Sequence, residues 1–469
     1  MNKDNIKKVL ASNPVARPSY FRRPHWTRRN FFQIAGAGIT ASFLAKEADA
    51  QAPNTCTSQN MTTINKATNV IFILMAGAPS HVDTFDFKMT SGVTPAAAAP
   101  QTVNGILWPT GILPKLGAMT SQFSLVRSVQ AHALVHSLGQ TWVQIGRNPA
   151  ASLGNIAPNI GSIVALQKAA ERQPGHVLPT FLALNSDGAV SSGYLDATYA
   201  PFKVDPSTAG LPNTTNSLGQ TRWNEMYTQM HAEDDVLRVN SPLGQPVVDM
   251  DNLYTSGTGL MYDPTVASVF TYSSADSTRY GASSFGNALI VAKQALAANQ
   301  GTRFIQVTLG GWDMHVDIYG EAGNKNGTNI FTLGKQFDAG VAALIGDLEA
   351  DGLLDSTMIV ALGEFGRTPG FTAALGRDHY LNQFAFFAGG GVQGGRVLGV
   401  TDATGANILD NGWSQNRPVN PEDIEATIYS AMGIDWTTIC YNDPFHRGFE
   451  FVPQSLGPDF YNPINELFK

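Results

Sequence analysis

Five stretches of the chain are predominantly apolar: Asn69–Met75 (NVIFILM), Phe123–Val129, Thr302–Leu309, Thr357–Leu362 and the shorter Phe384–Ala388. Runs this short suit strands buried on both faces, not half-exposed strands that alternate. Between the third and fourth, Leu333–Ala350 sets Phe337, Val341, Leu344 and Leu348 at helical spacing, and Asp351-Gly352 marks its end. Buried strands separated by helices predict an α/β fold, a mostly parallel central sheet with helices on both faces. Residues 201–278 break this pattern. They are rich in Ser, Thr, Asn, Gly and Pro and lack long apolar runs, so they are expected to form an insertion or cap with a few short helices, one around Arg222–His231.

The first fifty residues follow another logic. Thr27–Gln33 (TRRNFFQ) is close to the pattern that the twin-arginine translocase reads. A Gly- and Ala-rich apolar run follows from Ile34 to Ala45, and Ala48-Asp49-Ala50 offers the small residues of a cleavage site. Residues 1–50 are therefore expected to be an export signal, with a mature domain over 51–469 that is periplasmic or secreted. The apolar run is too short for a permanent anchor, and no later stretch would span a bilayer. The whole chain holds 30 Lys+Arg and 37 Asp+Glu, a net charge of −7; the first fifty residues hold nine and three, which leaves 21 against 34, or −13. Such an excess of carboxylates argues against nucleic acid as a partner, since phosphates need clustered Lys and Arg, and it suits solubility or cation binding. Cys56 and Cys440 either form a disulfide that ties the two ends together or remain two thiols; both readings stay open.

Polar clusters follow the strands. AGAPSHVDTFD (76–86) comes after the first, GGWDMHVD (310–317) after the third and GEFGRTP (363–369) after the fourth, while GRDHY (376–380) precedes the last. In open α/β sheets ligands bind beyond the carboxyl ends of the strands, so most of these loops should converge there. Asp, His and Glu on converging loops make a reasonable ligand set for a divalent metal.

Phe337–Arg367 (FDAGVAALIGDLEADGLLDSTMIVALGEFGR) resembles the helix–turn–strand of the alkaline phosphatase and sulfatase superfamily, whose strand ends in a metal-binding Asp-His-Gly. On that pattern Glu364, Phe365 and Gly366 take the three positions. Gly376–Val392 resembles the segment that carries the late metal-binding histidine, here His379, and Asp313 and His315 resemble its Asp-and-His pair at tighter spacing. Over nearly all of the mature chain the clusters AGAPSHVDTFD, GEFGRTP and GRDHY resemble the bacterial family called domain of unknown function 1501, grouped with that superfamily. The resemblance implies metal ligands among Asp313, His315, Glu364, Asp378 and His379. It also implies a metal-dependent hydrolase of phosphate or sulfate esters, acting on an anionic small molecule or polymer ester. Zinc is the expected metal, with calcium, magnesium or manganese as alternatives.

The departures from the pattern matter as much. Ala78 stands where the superfamily places a metal-binding Asp, and Phe365 cannot ligate, so a second metal would need Asp83, Asp86 or His81. Glu364 has a salt bridge to Arg367 as its other reading. Sulfatases set their nucleophile at the start of a helix that ends in Thr-Gly-Arg; Ile145-Gly146-Arg147 resembles that ending, and counting back reaches His136-Ser137. Ser137 would there meet the helix amides as a nucleophile, or serve as the helix N-cap. Arg127 would hold an anionic substrate, or pair at the surface. Cys-x-Pro-x-Arg is absent, which removes support for a formylglycine sulfatase. The alternative to a hydrolase is a non-catalytic exported binding or assembly protein that keeps the fold around a degenerate metal site.

Overall fold

The five apolar runs all become strands of one eight-stranded sheet. The computed structural model describes residues 56–186, 190–238, 241–454 and 461–468; the expected export signal lies outside them. In chain order the sheet strands are β1 (Asn69–Leu74), β2 (Phe123–Gln130), β3 (Phe181–Leu184), β4 (Phe202–Val204), β5 (Phe304–Thr308), β6 (Thr357–Leu362), β7 (Asn382–Ala388) and β8 (Arg396–Leu398). They lie in the order β8-β2-β7-β6-β1-β5-β3-β4. Every neighbouring pair is parallel except those of β7, which runs antiparallel to both β2 and β6. The three strands that periodicity does not pick out, β3, β4 and β8, are only three or four residues long.

Alternate residues of each strand feed two cores. Ile71, Ile73, Ile305, Val307, Ile359 and Phe386 face one side, where α5 (Ser284–Ala298) and α6 (Ile330–Ala350) cover them through Leu289, Phe337 and Leu344. Val70, Phe72, Leu74, Met358, Val360 and Phe387 face the other, under α1 (His136–Ile145), α2 (Ile160–Gln167) and α7 (Pro421–Ala431). Burial on both faces is what removed polar alternation from the strand sequences. The helix expected over Leu333–Ala350 starts one turn earlier, because the Asn329 side chain caps it by accepting from the Thr332 amide at 2.9 Å.

Residues 201–278 hold two long helices where short ones were expected, α3 (Gln220–Arg238) and α4 (Gln245–Leu260). The α3 sequence, QTRWNEMYTQMHAEDDVLR, carries no continuous apolar stripe, so periodicity had nothing to measure its length by. The segment also supplies β4, which pairs with β3 at the sheet edge. Cys56 and Cys440 form a disulfide and pair across two short strands, so the start of the domain is tied to the chain beyond α7. No helix among the described residues is long and apolar enough to cross a membrane.

Candidate metal centre

β1, β2, β5 and β6 are parallel, so their carboxyl ends share one edge; β7 runs the other way and presents its amino end there. That is why GRDHY precedes its strand while the other clusters follow theirs. Gly77 makes the close packing of two of these loops feasible. Its φ is +105°, and a Cβ there would stand 2.6 Å from the Asp313 amide nitrogen and 2.8 Å from that of Trp312. Only glycine fits such an approach of backbone to backbone.

Among the described residues, His136, Asp313, His315 and His379 offer ligand atoms that all lie within 4.8 Å of one another. Asp313 Oδ1 is 3.0 Å from His315 Nε2, 3.2 Å from His136 Nε2 and 4.0 Å from His379 Nε2. His315 Nε2 and His379 Nε2 face each other at 3.0 Å. The other nitrogen of each ring is already bound. His136 Nδ1 lies 2.6 Å from Glu364 Oε1, His315 Nδ1 2.8 Å from Asp378 Oδ1 and His379 Nδ1 2.7 Å from the Leu134 carbonyl.

These partners decide the tautomers. A carboxylate or carbonyl oxygen can only accept, so each Nδ1 carries the proton and each neutral ring turns an Nε2 lone pair toward the common centre. His136 Nε2 is buried there with no hydrogen-bond partner among the described residues. Three lone pairs and a carboxylate oxygen at these distances repel one another unless a cation lies among them. Ligands about 2.1 Å from a tetrahedral ion stand about 3.4 Å apart, a value that the distances above, 3.0 to 4.0 Å, bracket. The donor set therefore fits a divalent metal ion, and the partners on Nδ1 are those that orient metal-binding histidines.

The surroundings fix this set. Arg367, fully buried, donates from Nε to the Ala78 carbonyl (2.9 Å), from Nη1 to the Arg377 carbonyl (3.1 Å) and from Nη2 to both the Gly77 carbonyl and Asp313 Oδ1 (2.6 Å each). Its Nη1 is also 3.3 Å from His315 Nε2. Glu364, buried, also accepts from the Gly77 amide (3.0 Å) and from Gln140 Nε2 (2.9 Å). Phe365 closes one side: its ring centroid lies 4.9 Å from that of His136 and 4.6 Å from that of His379. The opposite side is open, with the Asp313 and His315 side chains 47% and 41% exposed.

The charges answer to the same contacts. The hydrogen bond from Glu364 raises the His136 imidazole above its ordinary value, against burial. Burial lowers His379, with the nearby Arg367 adding to it and the Leu134 carbonyl opposing. Burial pushes the Asp313 carboxyl up, but the hydrogen bond and charge of Arg367, with His136 and His315, outweigh it and hold it below the usual range.

Of the residues predicted from sequence as ligands, Asp313, His315 and His379 meet directly, and Glu364 and Asp378 stand one bond behind them on histidine Nδ1 atoms. Glu364 is not spent on Arg367. Asp83 is a correction: its carboxylate accepts from Arg377 Nε (2.6 Å) and Nη2 (3.0 Å), from Ser80 Oγ (2.5 Å) and from Tyr319 Oη (2.6 Å), so it is satisfied inside the protein and is not in the cluster. Arg127 is likewise spent elsewhere, on the Phe85 carbonyl (2.9 Å) and Asp86 Oδ1 (3.3 Å). Asp86 also accepts from Thr401 Oγ1 at 2.6 Å, and His81 Nε2 meets the Gly405 carbonyl at 3.0 Å; neither belongs to the cluster of ligand atoms. Ser137 is exposed on the first turn of α1; the N-cap is Val135, one residue before His136, so the capping reading does not hold. His136 is the member of the cluster that sequence reasoning passed over. It stood in the His136-Ser137 pair, a short turn beyond the end of β2 and hence at the right edge of the sheet, but the serine drew the chemistry.

Residues 67–449 match the family described as "Protein of unknown function (DUF1501)". No match is found among curated proteins. Among solved structures the chain is similar to the PsFucS1 sulfatase from Pseudoalteromonas sp., at 13% identity and a TM-score of 0.39, covering 79% of this chain and 68% of that one. It is also similar to a protein in the alkaline phosphatase superfamily from Vibrio parahaemolyticus (9% identity, TM-score 0.39, 87% and 76% covered). A third is the phosphonate monoester hydrolase SpPMH from Silicibacter pomeroyi (12% identity, TM-score 0.37, 86% and 76% covered).

Proposed function

Since the chain belongs to the DUF1501 family of proteins of unknown function, its activity has to come from the site, and we propose that it is an exported metal-dependent hydrolase of phosphate or sulfate esters. The observation that carries this reading is the convergence of three imidazole Nε2 atoms and the Asp313 carboxylate on one point, each ring held from behind by an acceptor. The motif resemblance to alkaline phosphatases and sulfatases supports the ester as substrate. The Cys56–Cys440 disulfide supports an oxidising compartment, in keeping with residues 1–50 as an export signal, 51–469 as the working domain and 201–278 as its cap.

His136, Asp313, His315 and His379 would hold the metal, zinc first among the candidates. When bound, it supplies Lewis-acid charge to the ester oxygen. Glu364, Asp378 and the Leu134 carbonyl hold the histidines in the binding tautomer, and Arg367 fixes Asp313. Phe365 excludes water from one wall. Ser137, exposed beside His136 at the amino end of α1, would be the attacking hydroxyl, since helix amides favour an anionic group there.

The test is metal content followed by turnover. Protein purified from the periplasm should hold stoichiometric divalent metal, cleave an aryl phosphate or aryl sulfate, and lose both on His379→Ala. No stoichiometric metal in the wild type and an unchanged His379→Ala protein would overturn it. A second reading, a metal-holding binding protein, is favoured by Phe365, which puts a hydrocarbon wall where a further ligand would stand. Retained metal with no turnover of either ester selects it.

A further inference from the structure

The face that α1 turns to the sheet is not wholly apolar. His136, Gln140 and Gln144 recur at four-residue spacing and so share one stripe of the helix. Gln144 is buried and meets Gln306, a buried glutamine in the middle of β5, whose neighbours Ile305 and Val307 point into the opposite core. Gln306 Nε2 donates to Gln144 Oε1 at 2.6 Å, and Gln306 Oε1 accepts from Asn159 Nδ2 at 3.1 Å. Asn159, also buried, is the N-cap of α2, and its Oδ1 accepts from the Gly161 amide at 2.9 Å. At the other end Gln144 Nε2 donates to the Gln140 carbonyl (2.8 Å). Gln140 Nε2 then donates to Glu364 Oε1 (2.9 Å), the same oxygen that His136 Nδ1 reaches at 2.6 Å.

The ends of this line fix its direction. The Gly161 amide can only donate and the Gln140 carbonyl can only accept, so each side-chain amide between them has one orientation that satisfies both of its contacts. Apolar residues could fill the same space without the cost of burying polar groups. What the amides add is direction. Packing of Val143 and Ile145 holds α1 on the sheet without a preferred register, whereas hydrogen bonds weaken steeply when a helix turns or slides. Gly139 lets the helix come close: a Cβ there would stand 3.0 Å from Glu364 Cβ and 3.3 Å from Phe365 Cδ1.

Resting on the metal reading above, we propose that Gln144, Gln306 and Asn159 are positioning residues for the metal centre. None of them belongs to the cluster of ligand atoms. They tie α1 to β5 and to the start of α2, and so set the turn and height of the helix at which His136 Nε2 meets Asp313 and His136 Nδ1 meets Glu364.

Two readouts at pH 8 test this, one with metal and one without. The first variant combines Gln144→Met, Gln306→Met and Asn159→Ser, which removes the line while keeping the shape of the glutamines and a cap on α2. Gln306→Met alone is the milder variant and carries the same test if the first does not fold. Val143→Ala, a cavity on the buried face of the same helix, is the control for general loosening. Cobalt(II) affinity, read from the visible spectrum of the bound ion, should fall about tenfold or more in the combined variant. It should fall less in Gln306→Met and stay unchanged in Val143→Ala. In metal-free protein with isotope-labelled histidine, the His136 ring nitrogens should move away from the Nδ1–H tautomer toward an average of the two. Those of His379, held by the Leu134 carbonyl, should stay in place. If wild type binds no cobalt, the metal reading fails, and the His136 tautomer alone decides the positioning role. An unmoved His136 tautomer in either folded variant overturns the inference, as does a loss of cobalt affinity in Val143→Ala equal to that in the combined variant.

Discussion

His136 and His379 share one centre but are pushed in opposite directions, His136 up by Glu364 and His379 down by burial. As the pH falls, His136 is therefore the first to take a proton and so to compete with the metal. Zinc affinity, followed by calorimetric titration from pH 8 to pH 5, should begin to drop while His379 is still neutral. Glu364→Gln should weaken binding about 10- to 100-fold, because the ring loses the acceptor that orients it. It should also move the acid edge to lower pH, since the proton on His136 loses the same support; an edge that stays in place would show that another residue sets it. In the metal-free protein the sign reverses. The raised folded value makes protonated His136 a stabilising element below the ordinary imidazole pKa of about 6.5, lost as the pH rises through the folded value. Ser137 has its own test: Ser137→Ala should abolish turnover with metal retained if its hydroxyl attacks, and leave turnover near wild type if water does.

At the scale of elements, the turn after β1 and the loop after β5 must pack backbone on backbone for Asp313 to reach the histidines. Gly77→Ala would force a Cβ into the Asp313 and Trp312 amides and a side chain into a positive-φ position. The expected result is a loss of about 2–4 kcal/mol in denaturant unfolding, together with weaker metal binding, because Asp313 is displaced. Stability and metal affinity equal to wild type would show that the two loops can move apart without cost. The elements also show how far sequence pattern reaches. The runs NVIFILM, TMIVAL and the Phe337-Val341-Leu344-Leu348 series became β1, β6 and α6 nearly residue for residue, because burial on both faces or on one stripe leaves a periodic trace. The short strands β3, β4 and β8 leave none, and the polar α3 has no stripe to show.

For the whole molecule, the Cys56–Cys440 disulfide joins residues 384 positions apart. A loop of that length gives the unfolded chain much entropy to lose, so reduction should cost about 2–5 kcal/mol in denaturant unfolding, measured with and without dithiothreitol. An unchanged midpoint would mean that the ends stay docked through packing alone. Export should depend on Arg28 and Arg29: the double Lys variant should leave precursor in the cytoplasm, since the translocase reads guanidinium groups and not charge alone. Normal secretion of that variant would remove the export reading. By itself the sequence determined the α/β layering, the sheet edge where the polar clusters gather, and Asp313, His315 and His379 as candidate ligands, because each of these leaves a local signature in hydrophobic period or in motif. Only the tertiary structure decided that His136 completes the set, that Glu364 and Asp378 stand behind the histidines, and that Asp83 is consumed by Arg377 and Tyr319. Those outcomes depend on distances between side chains on separate strands and loops, fixed by strand order and by the reversal of β7, and nothing local in the chain encodes them.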